Sequence, residues 1–258
     1  MDIHKPKPWH GLREFLKEYL IIVIGVLTAL SAEAGVEWLH WRHLAEQHDA
    51  ELAMSAQSVA ANAIQQLAVD GCLRGALQEI GEALLRPGTA WKGLKPDASG
   101  PVESYLPPRL QVRGRPWAYA PWESALADGS LTHLPADRVR AYALIYRTSM
   151  TAGGQQGLLG DLLPELTPLA FDQTLTAQDK ARYLTVVARA DRIESRAVSM
   201  ARTIGTTASE WDWWPPKTML DPLMAANRDH EGACVQQVDR AAFRKGGSLV
   251  VPTLLRKP

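Results

Sequence analysis

Histidine and carboxylate side chains are concentrated in the stretch EWLHWRHLAEQHD, which begins at Glu37 and contains His40, His43, Glu46 and His48. Residues three apart share one face of a helix, so the pairs at 37/40 and 40/43 have the spacing that a metal site in a helical bundle requires. The stretch lacks a complete HExxH motif and paired ExxH motifs. Histidine and tryptophan next to a bilayer also serve as interface or pH-sensitive residues. Interfacial packing is therefore favoured, and we predict no metal site and no cofactor.

Tryptophan is overrepresented, with nine Trp against three Phe, and the segment WDWWPP at 211–216 holds three of the nine. Aromatic clusters form cages for a cation or an apolar ligand, and Asp212 would supply a countercharge. Such clusters also cap helical bundles or dip into membrane surfaces. The sequence thus suggests a ligand pocket as the weaker of two functional interpretations, built from Trp117, Trp122, Trp211, Trp213 and Trp214.

Signatures of enzymes and of nucleic-acid binders are missing from the sequence. The glycine-rich GGQQGLLG at 153–160 lacks the Lys-Ser/Thr pair that holds phosphate. No GxSxG or SxxK motif occurs, and Ser124 and His133 are neighbours in sequence without forming a triad. The 28 basic and 28 acidic residues cancel, which argues against a general nucleic-acid binder. We therefore predict a protein that is not an enzyme and does not bind nucleic acid.

The histidine-rich stretch follows an apolar run, YLIIVIGVLTALSAEAGVEWLHW, at 19–41. As a helix, the part from Tyr19 to Trp38 is about 28 Å long, close to the roughly 30 Å of a bilayer's hydrocarbon core. Basic residues precede the run and only Arg42 follows it closely, which favours a cytoplasmic N-terminus. We predict a cytoplasmic segment at 1–18, a transmembrane helix with its outer interface at 19–41, and a periplasmic domain at 42–258. The preceding basic residues are Lys5, Lys7, Arg13 and Lys17.

A cleaved signal peptide is the alternative, with Ala32-Glu33-Ala34 as the cleavage site. The apolar periodicity continues past that site, which favours an uncleaved anchor in the inner membrane. Either way the bulk of the chain is exported to an oxidising compartment. We therefore predict a disulfide between Cys72 and Cys234, with two unrelated buried thiols as the alternative.

Small residues recur along one face of the apolar run, at Gly25, Ala29, Ala32 and Gly35. Such a face lets two helices approach closely in lipid, so it predicts self-association or association with another membrane protein. Glycine and alanine are also common in membrane helices without any such role. Glu33 lies beside the face, where its carboxyl would either hydrogen-bond across a helix pair or reach towards the interface.

The remaining periodicity is helical, and the fold class is mainly α. We predict helix at 36–85 with a break at Gly71, and an irregular insertion at 87–121 that contains seven prolines and packs in its second half. Further helices are expected from Pro121, from 134–137 with a possible break at 153–154, and from the capping box at Thr176 to just before Trp211. The tail from 215 is mixed, with a short strand or arm at 248–255. The sequence thus predicts an N-terminal transmembrane helix that continues into an exported antiparallel helical bundle.

Two segments resemble a group of uncharacterised bacterial single-span proteins. The first, at 4–43, shares an HKPKP-type opening, a REFL segment and an apolar helix ending in E-x-LHWR. The second, PWESALADGSLTHLPADRVRAYALIY at 121–146, is similar to a W-E-x-A-L-x-x-G-x-L segment of the group. The resemblance implies an anchored, mostly helical exported domain, but it carries no activity and no site residues.

These observations favour a non-enzymatic, membrane-anchored periplasmic protein that acts as an oligomeric scaffold or as an accessory subunit of a membrane complex. The bilayer is its first expected partner. The alternative is a periplasmic sensory or ligand-binding module that uses the tryptophan-rich pocket.

Overall fold

A computed structural model describes residues 11–94, 105–112, 114–117 and 119–244 of the chain. The sequence predictions for the HKPKP opening, for part of the proline-rich insertion and for an arm at 248–255 fall outside these residues. Within them the protein is mainly α, and five helices pack as a bundle.

Helix α1 is a single helix of 74 residues, Leu12–Leu85, and is about 110 Å long. The predicted break at Gly71 is wrong, because the helix continues without interruption through this residue. A glycine inside a helix costs only about 1 kcal/mol, and burial of the flanking turns at Leu67 and Cys72 offsets that cost. Gly71 instead allows a close approach, since a Cβ atom there would lie 3.1 Å from Nε2 of Gln236.

The two parts of α1 differ in their surroundings. Its first part contains an apolar stretch of membrane length, with a mean hydropathy of 2.0 and none of it buried within the protein. From Ala45 onward the same helix turns buried side chains towards the bundle, among them Leu52, Val59 and Ile64. One continuous helix therefore has an apolar end that is exposed and another end that packs in the bundle.

The proline-rich insertion after α1 packs in its second half, as predicted, because Leu106, Leu110, Trp117 and Tyr119 are buried. It includes a short 3-10 turn at Pro108–Leu110. A small antiparallel pairing was not predicted: strand β1, Ala90–Trp91, pairs with strand β2, Gln173–Thr174. Two-residue strands are too short to show an alternating pattern in the sequence.

Helices α2, Ala120–Ala127, and α3, Ala136–Leu162, begin where proline predicted them. Gly129 follows α2 with a φ of 81°, and a 3-10 turn at Ser130–His133 joins the two helices. The possible break at 153–154 is absent, since α3 continues to Leu162. A second 3-10 segment, Leu163–Ala170, leads on to β2.

Helix α4, Ala177–Glu210, starts at the predicted capping box and ends before Trp211. The backbone N–H of Asp179 donates to Oγ1 of Thr176 at 3.1 Å, and the N–H of Thr176 donates to Oδ2 of Asp179 at 2.9 Å. The tail then forms helix α5, Lys217–Glu231, a 3-10 turn at Gly232–Cys234, and helix α6, Arg240–Arg244. The sequence predicted only a mixed tail here, and α5 forms although it contains Pro222, a residue that usually ends a helix.

The order of contacts along the helices shows that α1 and α4 run antiparallel. Gln66 meets Glu194, Gly81 faces Val187, and the Nζ of Lys180 donates to the carbonyl of Arg86 at 2.7 Å. Helix α3 packs along α4, with the ring of Tyr142 stacked on Trp213 just beyond the end of α4. These three long helices position the site described next.

Candidate functional site

The bundle contains two apolar cores that are separated along its long axis. The first core, nearer to the apolar stretch of α1, takes residues 52–67 from α1 and 198–208 from α4. The second core takes residues 76–84 from α1 and 183–190 from α4. Between them lies a polar layer, which we define by Gln66, Asp70, Arg74, Gln156 and Glu194. Since replacing apolar packing by buried polar groups seldom stabilises a fold, such a layer is a candidate for function.

Hydrogen bonds join this layer across three segments of the chain. The Nε2 of Gln66 donates to Oε1 of Glu194, and a guanidinium nitrogen of Arg115 donates to Oε1 of Gln66, both at 2.5 Å. The Nε of Arg74 donates to Oδ1 of Asp70 at 2.6 Å, and its NH2 donates to the hydroxyl of Ser195 at 3.2 Å. These bonds link α1 both to α4 and to the proline-rich insertion.

Glu194 is the most deeply buried acid in this network, with 1% of its surface exposed. Burial raises the pKa of its carboxyl to about 7, and the nearby Asp70 carboxylate adds to that rise. Gln66 and the guanidinium groups of Arg115 and Arg74 act in the opposite direction. The second oxygen, Oε2, is buried and has no hydrogen-bond partner within the described chain. A buried polar atom without a partner is costly, so this oxygen marks a position for a water or a ligand.

A cavity of about 40 Å³ adjoins Glu194. Because one water needs roughly 10–15 Å³ of such volume, it has room for about three. Its polar wall carries charges of both signs, from Glu194, Glu231, Arg109 and Arg115. Its apolar wall includes Leu73, Val112, Trp117, Ala152 and Leu159.

The five tryptophans predicted to form a ligand pocket all belong to the first core or pack against it. Trp117, Trp122 and Trp213 are buried in it, and Trp211 and Trp214 pack against it. Trp213 stacks on Tyr142 with ring centroids 4.3 Å apart, and Trp122 stacks on Tyr146 at 5.8 Å.

Asp212, proposed as a countercharge, pairs with Arg240 at 2.7 Å. Trp117 lines the cavity at Glu194, whereas Trp214 lines a separate cleft beside α5. Trp117 and Trp214 thus line different cavities, and a pocket shared by all five tryptophans stays a prediction.

The histidine-rich stretch is divided by the fold. His48 is buried, and its Nε2 lies 2.8 Å from Oδ2 of Asp128. His40 and His43 are exposed. In the described part of the chain, the group with metal-like spacing is instead Cys72, Glu231 and Cys234, and its two sulfur atoms are bonded to each other.

The cysteine pair forms the disulfide that the sequence suggested, with Cα atoms 5.2 Å apart and a sequence separation of 162. It fastens the turn after α5 to α1 beside the polar layer. The backbone N–H of Gln236 also donates to the carbonyl of Ala68 at 2.8 Å. The wall of the cavity that contains Glu231 is therefore covalently tied to α1.

The small-residue face of α1 has no neighbour within the described chain. Gly25, Ala29, Ala32, Glu33 and Gly35 are all exposed. A Cβ atom added at Gly25 or Gly35 would meet nothing within 4 Å. The face is thus open to a second helix.

Comparison with known protein families, characterised proteins and solved structures finds no match. Function is therefore inferred from the geometry of the chain. Sequence reasoning missed Glu194, although one signal pointed to it: buried residues of α4 recur at 183, 186, 190, 194, 197, 201 and 204. A single acid falls on that otherwise apolar face.

Proposed function

We propose that the protein is a non-enzymatic, single-span protein of the inner membrane that acts as an oligomeric scaffold or as an accessory subunit of a membrane complex. Its N-terminus is cytoplasmic and its helical domain is periplasmic. The observation that carries the proposal is the division of α1 into an apolar part, none of which is buried in the protein, and a part that forms the centre of the bundle. An exposed apolar surface of this extent requires a membrane or a partner.

The apolar stretch has the length and composition of a membrane span and of a signal sequence alike. The uninterrupted helix supports the span, because cleavage after Ala34 would cut through the middle of a regular helix. The disulfide is typical of an extracytoplasmic domain, which both alternatives require.

The connection between anchor and domain is short and rigid. The ring of Trp41 stacks on His133 with centroids 4.6 Å apart, and His48 contacts Asp128 one to two turns further on. The loop between α2 and α3 thus touches α1 directly after the apolar stretch. A domain held at the membrane surface by a continuous helix suits a partner that is itself in the membrane.

The small-residue face supplies a surface for that partner. Gly25 has no side chain, and Ala29 and Ala32 carry only a methyl group, so a second helix can approach the backbone closely. Glu33 next to this face supports association further, because a carboxyl in lipid gains from a hydrogen-bonding neighbour.

The test is to extract the protein from its native membrane in mild detergent, measure the mass of the particle and identify what co-purifies. We expect a homo-oligomer or a stoichiometric second protein. The substitutions Gly25→Leu and Ala32→Leu are expected to reduce the particle to the monomer. Ala34→Leu is the matched control, since it adds the same bulk on the opposite face of the helix and should leave the mass unchanged.

Two results would reject the proposal. A wild-type monomer without a partner would exclude the scaffold and subunit roles. A soluble protein whose N-terminus is residue 35 would exclude the anchor. The compartment is checked independently by alkylating cysteines in intact cells, where Cys72 and Cys234 should be protected as a disulfide.

A further inference from the structure

The cavity at Glu194 has the properties of a built site, and the anchor does not account for it. Five segments contribute to its wall: α1, the proline-rich insertion, α3, α4 and α5. The acceptor Oε2 of Glu194 is buried and without a partner within the described chain. Its other oxygen is held by Gln66, so the carboxyl group has a fixed orientation.

The charges around the cavity are mixed and balanced. Glu194 and Glu231 supply two carboxylates, and Arg109 and Arg115 supply two guanidinium groups. The guanidinium of Arg109 lies 3.6 Å from Glu79 on the surface, which is longer than a hydrogen bond, and 43% of its side chain is exposed. A simple cation would be repelled by the arginines, and a simple anion by the carboxylates. A ligand that carries both charges finds a partner for each among the lining residues.

We propose that this cavity binds a small zwitterion of the amino-acid type. Its ammonium group donates to Oε2 of Glu194, and its carboxylate faces the guanidinium groups of Arg109 and Arg115. A short side chain lies against the apolar wall at Leu73 and Leu159. The volume of about 40 Å³ restricts the ligand to the size of glycine or alanine.

The proposal goes beyond the anchoring and assembly role, because it assigns a ligand to the exported domain. It also differs from the tryptophan cage, since Trp117 alone among the five proposed indoles lines this cavity. The bound ligand would touch all three long helices and the disulfide-linked turn at once. Occupancy is therefore expected to raise the melting temperature of the domain.

The experiment is isothermal titration calorimetry of full-length protein in detergent at about pH 8, with glycine as the probe. At this pH the Glu194 carboxyl, whose pKa is about 7, is ionised. Methylammonium and acetate each carry half of the zwitterion, and tryptophan is too large for the cavity. We expect saturable binding of glycine, much weaker binding of either half, and none of tryptophan. The substitution Glu194→Gln keeps the shape of the side chain and should weaken glycine binding by roughly tenfold to hundredfold, because a hydrogen bond to a charged group is lost.

Glu210→Gln is the matched control, since Glu210 is exposed on the same helix and does not line the cavity. A second variant, Ala197→Leu, fills the cavity without changing a charge and should also abolish binding. Circular dichroism of each variant checks that the fold is retained. Absence of glycine binding to the wild type would overturn the proposal and leave ordered water as the occupant. Equal binding by wild type and Glu194→Gln, or equal binding of methylammonium and glycine, would overturn it as well.

Discussion

The ring of Phe243 lies so close to Gly205 that a Cβ atom at position 205 would stand 2.6 Å from Cε1 of the ring. Phe243 belongs to α6 and is 6% exposed, whereas Gly205 lies inside α4. The absence of a side chain at position 205 is therefore what lets helix α6 close the first core.

The substitution Gly205→Ala is expected to lower the free energy of unfolding by about 1–3 kcal/mol, because the overlap outweighs the better helix propensity of alanine. Thermal or urea unfolding of the full-length protein measures the loss. Gly154→Ala is the control, since a Cβ atom there meets nothing within 4 Å, and it should be neutral or stabilising by up to about 1 kcal/mol. A Gly205→Ala protein as stable as the wild type would show that Phe243 does not occupy this position.

Removal of the disulfide should destabilise the helical bundle. The bond between Cys72 and Cys234 closes a loop with a sequence separation of 162 residues, and cross-links of this span contribute roughly 2–5 kcal/mol. The double substitution Cys72→Ser and Cys234→Ser should therefore lower the melting temperature, and reducing agent should lower that of the wild type alone. If reducing agent shifted both proteins equally, its effect would not arise from this bond.

The contacts of Asp49 connect α1 to α3 just beyond the apolar stretch of α1. Its Oδ1 accepts from Nε of Arg138 at 2.5 Å and from the hydroxyl of Tyr142 at 2.9 Å. Asp49→Ala leaves both donors without this acceptor and should cost about 1–3 kcal/mol of folding free energy.

Arg42→Ala is the matched control for Asp49→Ala on the same helix. The ion pair of Arg42 with Glu46, at 3.0 Å, is exposed, and such pairs contribute roughly 0–1 kcal/mol. Equal losses in the two variants would contradict the importance of the partly buried contacts of Asp49.

The sequence predicted the helices best where a local signal marks their ends. The capping box at Thr176 and the proline before α3 each define a helix start without help from tertiary contacts. The break predicted at Gly71 was wrong, because burial of the flanking turns of α1 overrode a local preference against helix. Only the folded chain shows that Gly71 makes room for Gln236.

The polar layer was harder to predict, because its members come from distant parts of the chain. Gln66 and Glu194 are 128 residues apart, and nothing local links them. In the sequence of α4, apolar residues at helical spacing pass through Val187, Ile193 and Met200, whereas the buried residues of the folded helix include Val186, Glu194 and Ala201. These two faces differ by one residue position, so the sequence pattern alone does not show that Glu194 is buried.

The stability of the protein should depend on pH through Glu194. The pKa of its carboxyl is raised from the ordinary value of 4.5 to about 7, chiefly by burial. In the folded state it therefore keeps a proton that the unfolded chain releases between these two values. Stability from this group is fully present below about pH 4.5, falls as the pH rises towards about 7, and is constant above that.

Glu194→Gln removes this dependence, because the amide stays neutral at every pH. As the pH rises from 4.5 to about 7, the unfolding free energy of the variant should therefore increase relative to that of the wild type by about 3 kcal/mol. Urea unfolding at several pH values measures it, with Glu210→Gln on the same helix as a control that should give a flat difference. The charged groups that face Glu194, namely Asp70, Arg74 and Arg115, are present in both proteins, so their own titration largely cancels. A flat difference for Glu194→Gln would contradict the raised pKa: the carboxyl would then ionise near its ordinary value of 4.5 in the folded protein, with a donor such as an ordered water at Oε2.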